Sequence, residues 1–179
     1  MSPEWTTAEA AVLSAAARSA PSVHRTRPWV VETRGREVLV VERVDLRLPE
    51  HDPTGRDRLI SCGAAVACVR LAVRRLGWSE TWRQFPLPGR RDVVAAVRAG
   101  EPRPPTAEDS ARYAAMRRRR SHRSRFAGPP DPGIDLRHAT DVEGAAVVAL
   151  AGPAADAALA ALITHTARLM GRSAAYRGS

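Results

Sequence analysis

The most regular feature of the sequence is residues 58–76, a stretch of small and aliphatic residues that ends at Gly77. Its larger apolar side chains recur every three or four residues, which places them on one face of an α-helix. These side chains are Cys62, Val66, Val69, Val73 and Leu76. The flank at residues 63–67 is mostly glycine and alanine, so the helix could approach another backbone closely. We therefore predict a buried helix that makes a tight helix–helix contact.

The other patterns predict a mixture of helices and strands. Thr6 and Glu9 form a capping box that opens the first helix, and Arg34-Gly35 separates two β-branched runs as in a hairpin. The expected elements are helices at 6–20, 92–99, 106–116 and 153–170, hairpin strands at 29–32 and 37–44, and a buried strand at 142–151. Residues 101–105, EPRPP, are typical of a linker. This mixture predicts an α+β fold.

The composition excludes several classes of protein. No apolar run approaches 18 residues, so we expect no membrane-spanning helix, and no signal peptide pattern opens the chain, so we expect a cytoplasmic protein. All 28 basic residues are arginine, which excludes Schiff-base chemistry and a Walker-type phosphate loop because both need lysine. Two cysteines are too few for a disulfide scaffold or a Cys-rich zinc site. We expect Cys62 and Cys68 to be buried small hydrophobes, and we expect no metal site.

Residues 117–126 carry six arginines around Ser121 and His122. Guanidinium groups donate paired, charge-assisted hydrogen bonds that suit phosphate, and a hydroxyl adds a further donor. The segment could hold a cofactor phosphate or a nucleic-acid backbone, and a solvated basic helix end is an equally good interpretation. The net charge of +9 adds little, because the absence of lysine and asparagine indicates a GC-rich genome. Only Tyr113 and Phe126 lie near this segment in sequence to stack on bases, which argues against nucleic acid.

Residues 20–29, APSVHRTRPW, form a polar loop with a proline near each end. Its backbone amides, hydroxyls and arginines could be presented to a ligand. Considered alone, the segment is better interpreted as a connector from helix to hairpin, with Trp29 anchored in the core.

Three segments, in this order, resemble the nitroreductase superfamily. APSVHRTRPW resembles the superfamily segment APSxxNxQPW. Residues 51–78, which contain DP-GR, SCGAA and LGW, are similar to the dimer-core helix region of the Acg-type nitroreductase-like flavoproteins. RRSHRSRF at 119–126 resembles the RRSxR segment that grips the FMN phosphate. Each motif alone is moderately specific, whereas three in order, over about residues 8–177, are considerably stronger.

The resemblance implies a nitroreductase-like α+β fold with FMN bound non-covalently. It implies that Arg119, Ser121 and Arg123 contact the FMN phosphate, and that Pro21, Ser22 and Val23 pack on the flavin or hydrogen-bond to it. The chemistry that it implies is hydride transfer from NAD(P)H to the flavin, followed by reduction of a small-molecule acceptor. Helix 58–76 would lie at an interface, so we expect a homodimer or a complementary partner.

The resemblance also implies how the chain is divided. Residues 1–100 would form the first half of the fold, 101–105 a linker, and 106–179 the start of an incomplete second half. Arg25 and Arg27 stand where the superfamily has asparagine and glutamine, and arginine only donates hydrogen bonds. Two other functions remain open: a flavin-sequestering or vestigial protein without turnover, and a small basic nucleic-acid-binding protein.

Overall fold

The computed structural model describes residues 4–122, 124, 128 and 152–172. In chain order its elements are α1 (Thr7–Arg18), β1 (Trp29–Arg34), β2 (Glu37–Glu42), α2 (Arg56–Arg75), β3 (Trp78–Gln84), β4 (Val93–Pro102), α3 (Ala107–Arg118) and α4 (Pro153–Arg172), with short 3-10 turns at Val23–Arg25 and Val44–Leu46. The chain divides into two compact units, and the boundary in the sequence falls between Ser121 and His122. Helix α4 belongs to the second unit, and the other elements belong to the first. The α+β class is confirmed.

Helix α1 begins at the predicted capping box. Glu9 N donates to Thr6 Oγ1 at 3.2 Å, and Thr6 N donates to Glu9 Oε2 at 2.8 Å. The two bonds satisfy amides that a helix N-terminus otherwise leaves without partners. The helix buries Leu13, Ala16 and Ala17 against α2.

The sheet has the strand order β1-β2-β4-β3, and all its neighbouring strands are antiparallel. The predicted hairpin is confirmed: Trp29 pairs with Glu42 and Arg34 with Glu37. Gly35 turns the hairpin with φ of 55°, a backbone conformation that glycine adopts without strain. Helices α1 and α2 cover one face of this sheet, and Leu87 packs on a smaller apolar cluster on the other.

Helix α2 is the predicted central helix, extended by two residues at its start. Cys62, Val66, Val69 and Val73 are all buried, as their spacing indicated. The helix contacts α1, α3 and three strands of the sheet. Gly77 follows with φ of 90°, which confirms its role in ending the helix.

The helix predicted at 92–99 is wrong, because these residues belong to strand β4. The strand lies between β2 and β3, and residues Val93–Val97 are buried in succession, so this part of the sequence lacks the alternation of a half-exposed strand. Asp92 forms an ion pair with Arg90 at 2.7 Å and caps no helix. Gly100 does not end a helix. It gives room to the neighbouring strand, because a Cβ at this position would lie 2.6 Å from Ser79 Oγ on β3.

The remaining predictions have mixed outcomes. Helix α3 is confirmed with its capping box, in which Asp109 N donates to Thr106 Oγ1 at 3.0 Å, and α4 is confirmed at 153–172. Strand β3 was not predicted. The strand expected at 142–151 lies outside the described residues. The division into halves at 101–105 stays a prediction. Of the helices described, none is long and apolar enough to cross a membrane.

Candidate functional site

The loop between α1 and β1 has a constrained backbone. His24, Arg25 and Arg27 have φ values of 48°, 59° and 48°, in the left-handed region that residues with a Cβ rarely adopt. Such conformations cost roughly 1–3 kcal/mol each and persist only where other contacts hold them. One such contact is a hydrogen bond of 3.0 Å from Arg27 N to Ser22 Oγ. The loop is therefore held in one conformation by its own side chains.

Two residues of α2 fix this loop to the core. Val23 N donates to Ser61 Oγ at 3.3 Å, and Ser61 Oγ donates in turn to Asp57 O at 2.7 Å. The thiol of Cys62 donates to Pro28 O at 3.3 Å. Because Ser61 is only 4% exposed, water has little access to replace its hydrogen bonds. The serine and cysteine of the SCGAA segment thus position the loop at residues 20–29, which we call the proline–serine loop.

One residue of this loop, His24, contacts a second histidine, His51. The rings of His24 and His51 meet edge to face with their centroids 4.6 Å apart. His51 Nε2 lies 3.8 Å from a carboxylate oxygen of Asp57, in the first turn of α2. This pair was not predicted, because the two histidines are distant in sequence and share no motif. Among the described residues, no cluster of histidine, cysteine and carboxylate side chains could hold a metal ion.

The DP-GR segment forms the start of α2. Asp52 is buried and accepts hydrogen bonds from Asp57 N at 3.1 Å and Arg58 N at 2.9 Å. Burial raises the pKa of Asp52, but these amide hydrogen bonds and the charge of Arg58 outweigh it and leave the pKa below its usual value. The residues of this segment therefore cap the helix that carries Ser61.

Arg119 is the first residue of the segment at 119–126, which we call the phosphate segment, and it contacts both Ser121 and Ser19. Its Nη1 donates to Ser121 Oγ at 3.3 Å, and its Nη2 donates at 3.3 Å to the carbonyl of Ser19, two residues before Pro21. This contact places Arg119 beside the residue that immediately precedes the proline–serine loop (residues 20–29). Pro21 is exposed, and Ser22 and Val23 are half-buried. Arg123, the third residue predicted for the phosphate, lies outside the described residues.

Arg119 also lines a groove of about 630 Å³ between α2 and α3. The groove has an apolar floor and four arginines, and its lining residues are Ala67, Arg70, Leu71, Arg74, Arg112, Ala115, Met116 and Arg119. We call it the arginine groove. No function was predicted from the sequence for two of its arginines, Arg70 and Arg74. Their spacing of one helical turn was the available signal.

The cysteines have no role in chemistry at this site. Cys62 and Cys68 are buried free thiols, as predicted. Burial raises the pKa of Cys62 to about 12 and also raises the pKa of Cys68. Because the thiolate is the reactive form, both side chains act as small hydrophobes.

An apolar surface covers the exposed side of α2 where it faces β3. Leu59, Ile60, Trp82 and Phe85 are 37%, 59%, 39% and 53% exposed, and they line a cavity of about 390 Å³. We call these four residues the apolar face. Gly63 lies among them with open space where its Cβ would be. The small-residue flank predicted for close helix contact is therefore accessible here.

Comparison with known proteins decides the family. A Mycobacterium tuberculosis protein named as a candidate NAD(P)H nitroreductase is 36% identical over 125 residues, covering 70% of this chain and 36% of that protein. A second, named acg and also as a candidate NAD(P)H nitroreductase, is 30% identical over 112 residues, covering 63% of this chain and 34% of its own length. The chain belongs to the nitroreductase-like family. The family predicted from the three motifs is thereby confirmed.

Two further comparisons bear on this nitroreductase-like chain. No family model matches it. A solved structure from Parabacteroides distasonis, named as an NADH dehydrogenase/NAD(P)H nitroreductase, aligns with a TM-score of 0.44 and 16% identity over 57% of this chain and 78% of that one. The chain spans about a third of the length of the curated relatives it matches. The roles predicted for Arg119, Ser121, Arg123, Pro21, Ser22 and Val23 stay predictions.

Proposed function

We propose that this chain binds FMN and serves as an NAD(P)H-linked oxidoreductase of the nitroreductase type. The observation that carries the proposal is the contact of Arg119 with both Ser121 and Ser19. It links Arg119, at the start of the phosphate segment, to the residue that immediately precedes the proline–serine loop, although the two are 100 residues apart in sequence. The names of the relatives support the NAD(P)H-linked chemistry.

The side chains at this place suit a phosphate group. Arg119 hydrogen-bonds to two neutral oxygen atoms, both at 3.3 Å, which is long for such a bond. A phosphate oxygen would replace these partners with shorter, charge-assisted hydrogen bonds. The Ser121 hydroxyl is exposed and can donate beside it. Arg119, Ser121 and Arg123 are therefore assigned to the phosphate in this proposal.

The proline–serine loop is assigned to the flavin ring. The hydroxyls of Ser61 and Ser22 hydrogen-bond to the backbone of Val23 and Arg27, and so hold the loop that contains the three left-handed residues before any ligand arrives. A site that is ordered in advance loses less entropy on binding. When bound, FMN supplies the redox chemistry by accepting hydride from NAD(P)H and reducing a small-molecule acceptor. The chain's part is to hold and orient the cofactor and to admit both substrates.

A double substitution tests the phosphate assignment. Replacing Arg119 and Arg123 with alanine removes two charged donors, and each lost charged hydrogen bond costs about 1.5–3 kcal/mol. We expect FMN affinity to fall at least tenfold, measured by titration of flavin fluorescence or absorbance. The wild-type protein should be yellow when purified.

The matched control is the double variant Arg117→Ala with Arg118→Ala. It removes the same charge from neighbouring exposed positions that lie outside the phosphate segment. Its FMN affinity should stay close to that of the wild type. Equal affinities in all three proteins, or equal losses in the two double variants, would contradict the phosphate site.

The proposal includes association through α2. The apolar face leaves Ile60 and Phe85 more than half exposed beside the small-residue flank of the helix. Burying such a patch against another chain is favourable by about 25 cal/mol per Å² of apolar surface. We propose that a second copy of the chain, or a complementary partner, covers it.

A further inference from the structure

The arginine groove holds more positive charge than its carboxylates neutralise. Arg70 and Arg74 share a single carboxylate, Glu80, at 2.9 and 2.7 Å. Arg112 pairs with Glu108 at 2.6 Å, and Arg119 hydrogen-bonds only to neutral atoms in the bonds described above. Asp109 is shared in the same way by Arg74 and Arg103. Five guanidinium groups therefore face three carboxylates. Because Arg119 is assigned to the FMN phosphate, an excess of about one positive charge is left for a second phosphate.

The inner side of the groove is fixed in position. The Glu80 side chain is 1% exposed and accepts three hydrogen bonds from Arg70, two of them from Nε, and one from Arg74. Arg74 also lies 3.9 Å from Asp109, a buried carboxylate that pairs with Arg103 at 3.3 Å. The two α2 arginines thus form a rigid, positively charged wall that loses little freedom when an anion binds.

The outer side of the groove is open and adjustable. Arg112 and Glu108 are 59% and 70% exposed, and an ion pair so exposed contributes little to stability. Arg112 can therefore leave Glu108 for a phosphate at small cost. Arg112 lies on α3 and Arg119 immediately follows its last residue, with Met116 and Ala115 between the two arginines along the groove. An apolar surface between guanidinium groups suits a flat heterocycle that is attached to a phosphorylated sugar.

We propose that the arginine groove binds the phosphate-bearing adenosine portion of NADPH, so that this chain uses NADPH in preference to NADH. The inference rests on the proposed function, which supplies the nicotinamide nucleotide as a substrate. NADPH differs from NADH by one ribose phosphate, and an arginine beside that ribose is the usual means of accepting it. Arg112 is the residue assigned to this phosphate, because its present partner is the most exposed in the groove.

Binding of fragments to the full chain tests the assignment without turnover. By isothermal titration calorimetry at constant ionic strength, adenosine 2′,5′-bisphosphate should bind at least tenfold more tightly than 5′-AMP, which lacks the ribose phosphate. Arg112→Gln should abolish most of this difference, and Arg112→Lys should retain part of it. Arg118→Gln, which removes the same charge from α3 outside the groove, should leave the difference unchanged.

Other outcomes overturn the inference. If inorganic pyrophosphate binds as tightly as the bisphosphate, the groove takes any anion and the nucleotide assignment is wrong. If the two adenosine fragments bind equally, or if the Arg118 variant loses as much as the Arg112 variant, the assignment to this groove is wrong. FMN titration in parallel separates the two proposals, because FMN affinity depends on Arg119 and Arg123 and should not change in Arg112→Gln.

Discussion

Arg25 adopts a left-handed backbone conformation with φ of 59°, a conformation that is unfavourable for arginine. Left-handed conformations cost most residues about 1–2 kcal/mol, and asparagine tolerates them best among residues with a Cβ. Asparagine is also the residue that the superfamily has at this position. The departure from the motif therefore stores strain in the loop rather than relieving it.

This strain leads to a prediction about stability. Arg25→Asn should raise the free energy of unfolding by about 0.5–1 kcal/mol, because the folded backbone is retained at lower cost. Urea denaturation followed by circular dichroism measures the change. Arg25→Ala removes the same charge but tolerates the left-handed region no better than arginine. If both variants were stabilised equally, repulsion among the arginines and not the backbone would be the cause.

At the level of elements, helix α2 and the proline–serine loop form one unit through Ser61. The hydroxyl accepts from Val23 N and donates to Asp57 O, so a single side chain connects the loop to the first turns of the helix. The serine is buried, and the loss of its hydroxyl would leave a half-buried amide without its acceptor. The predicted flavin-binding residues thus depend on a residue to which the motif comparison assigned no role.

Ser61→Ala should loosen the loop without unfolding the core. A net hydrogen bond contributes about 0.5–1.5 kcal/mol, so the Val23 amide should exchange with deuterium roughly three- to tenfold faster. Ser19→Ala is the control, because the Ser19 hydroxyl donates to Ala15 O within its own helix and does not contact Val23. Unchanged exchange at Val23 in the Ser61 variant would show that other contacts fix the loop.

The elements also show which features the sequence could predict. Helix α2 was predictable because its buried side is continuous and its other side carries small residues and arginines. Strand β4 was not, because Val93–Val97 are buried on both faces and alanines within the run favour a helix when considered alone. Strand β3 was missed because its exposed edge carries polar residues, and its burial is only partial.

The candidate site was predictable only in part. Motif order predicted Arg119 and Ser22 as residues of one site, and that assignment stays a prediction. The hydrogen bond between Arg119 and Ser19 spans 100 residues, so no local pattern indicates it. The arginine groove forms where α2 and α3 pack together, and its charge balance depends on Glu80, a strand residue whose burial was not predictable.

For the whole molecule, the exposed side of α2 combines two different surfaces. The apolar face lies toward β3 and the arginine groove toward α3, and Ala67 and Arg70 line both cavities. A partner that covers the apolar face would therefore border the groove and help to exclude water from it. Exclusion of water strengthens the electrostatic interactions of the four arginines with a bound anion.

Association through the apolar face can be tested at Ile60, which is 59% exposed in the second turn of α2. Ile60→Glu would place a charge in an apolar interface, and disrupting a central contact of this kind typically costs 2 kcal/mol or more, roughly 30-fold in the dissociation constant. Multi-angle light scattering across a concentration series should show association in the wild-type chain and a matching shift toward monomer in the variant. Ala8→Glu adds the same charge at an exposed position on α1 and should leave association unchanged. If the wild-type chain is monomeric throughout the series, association requires a complementary partner. If the chain associates and Ile60→Glu does not weaken it, the copies meet through another surface.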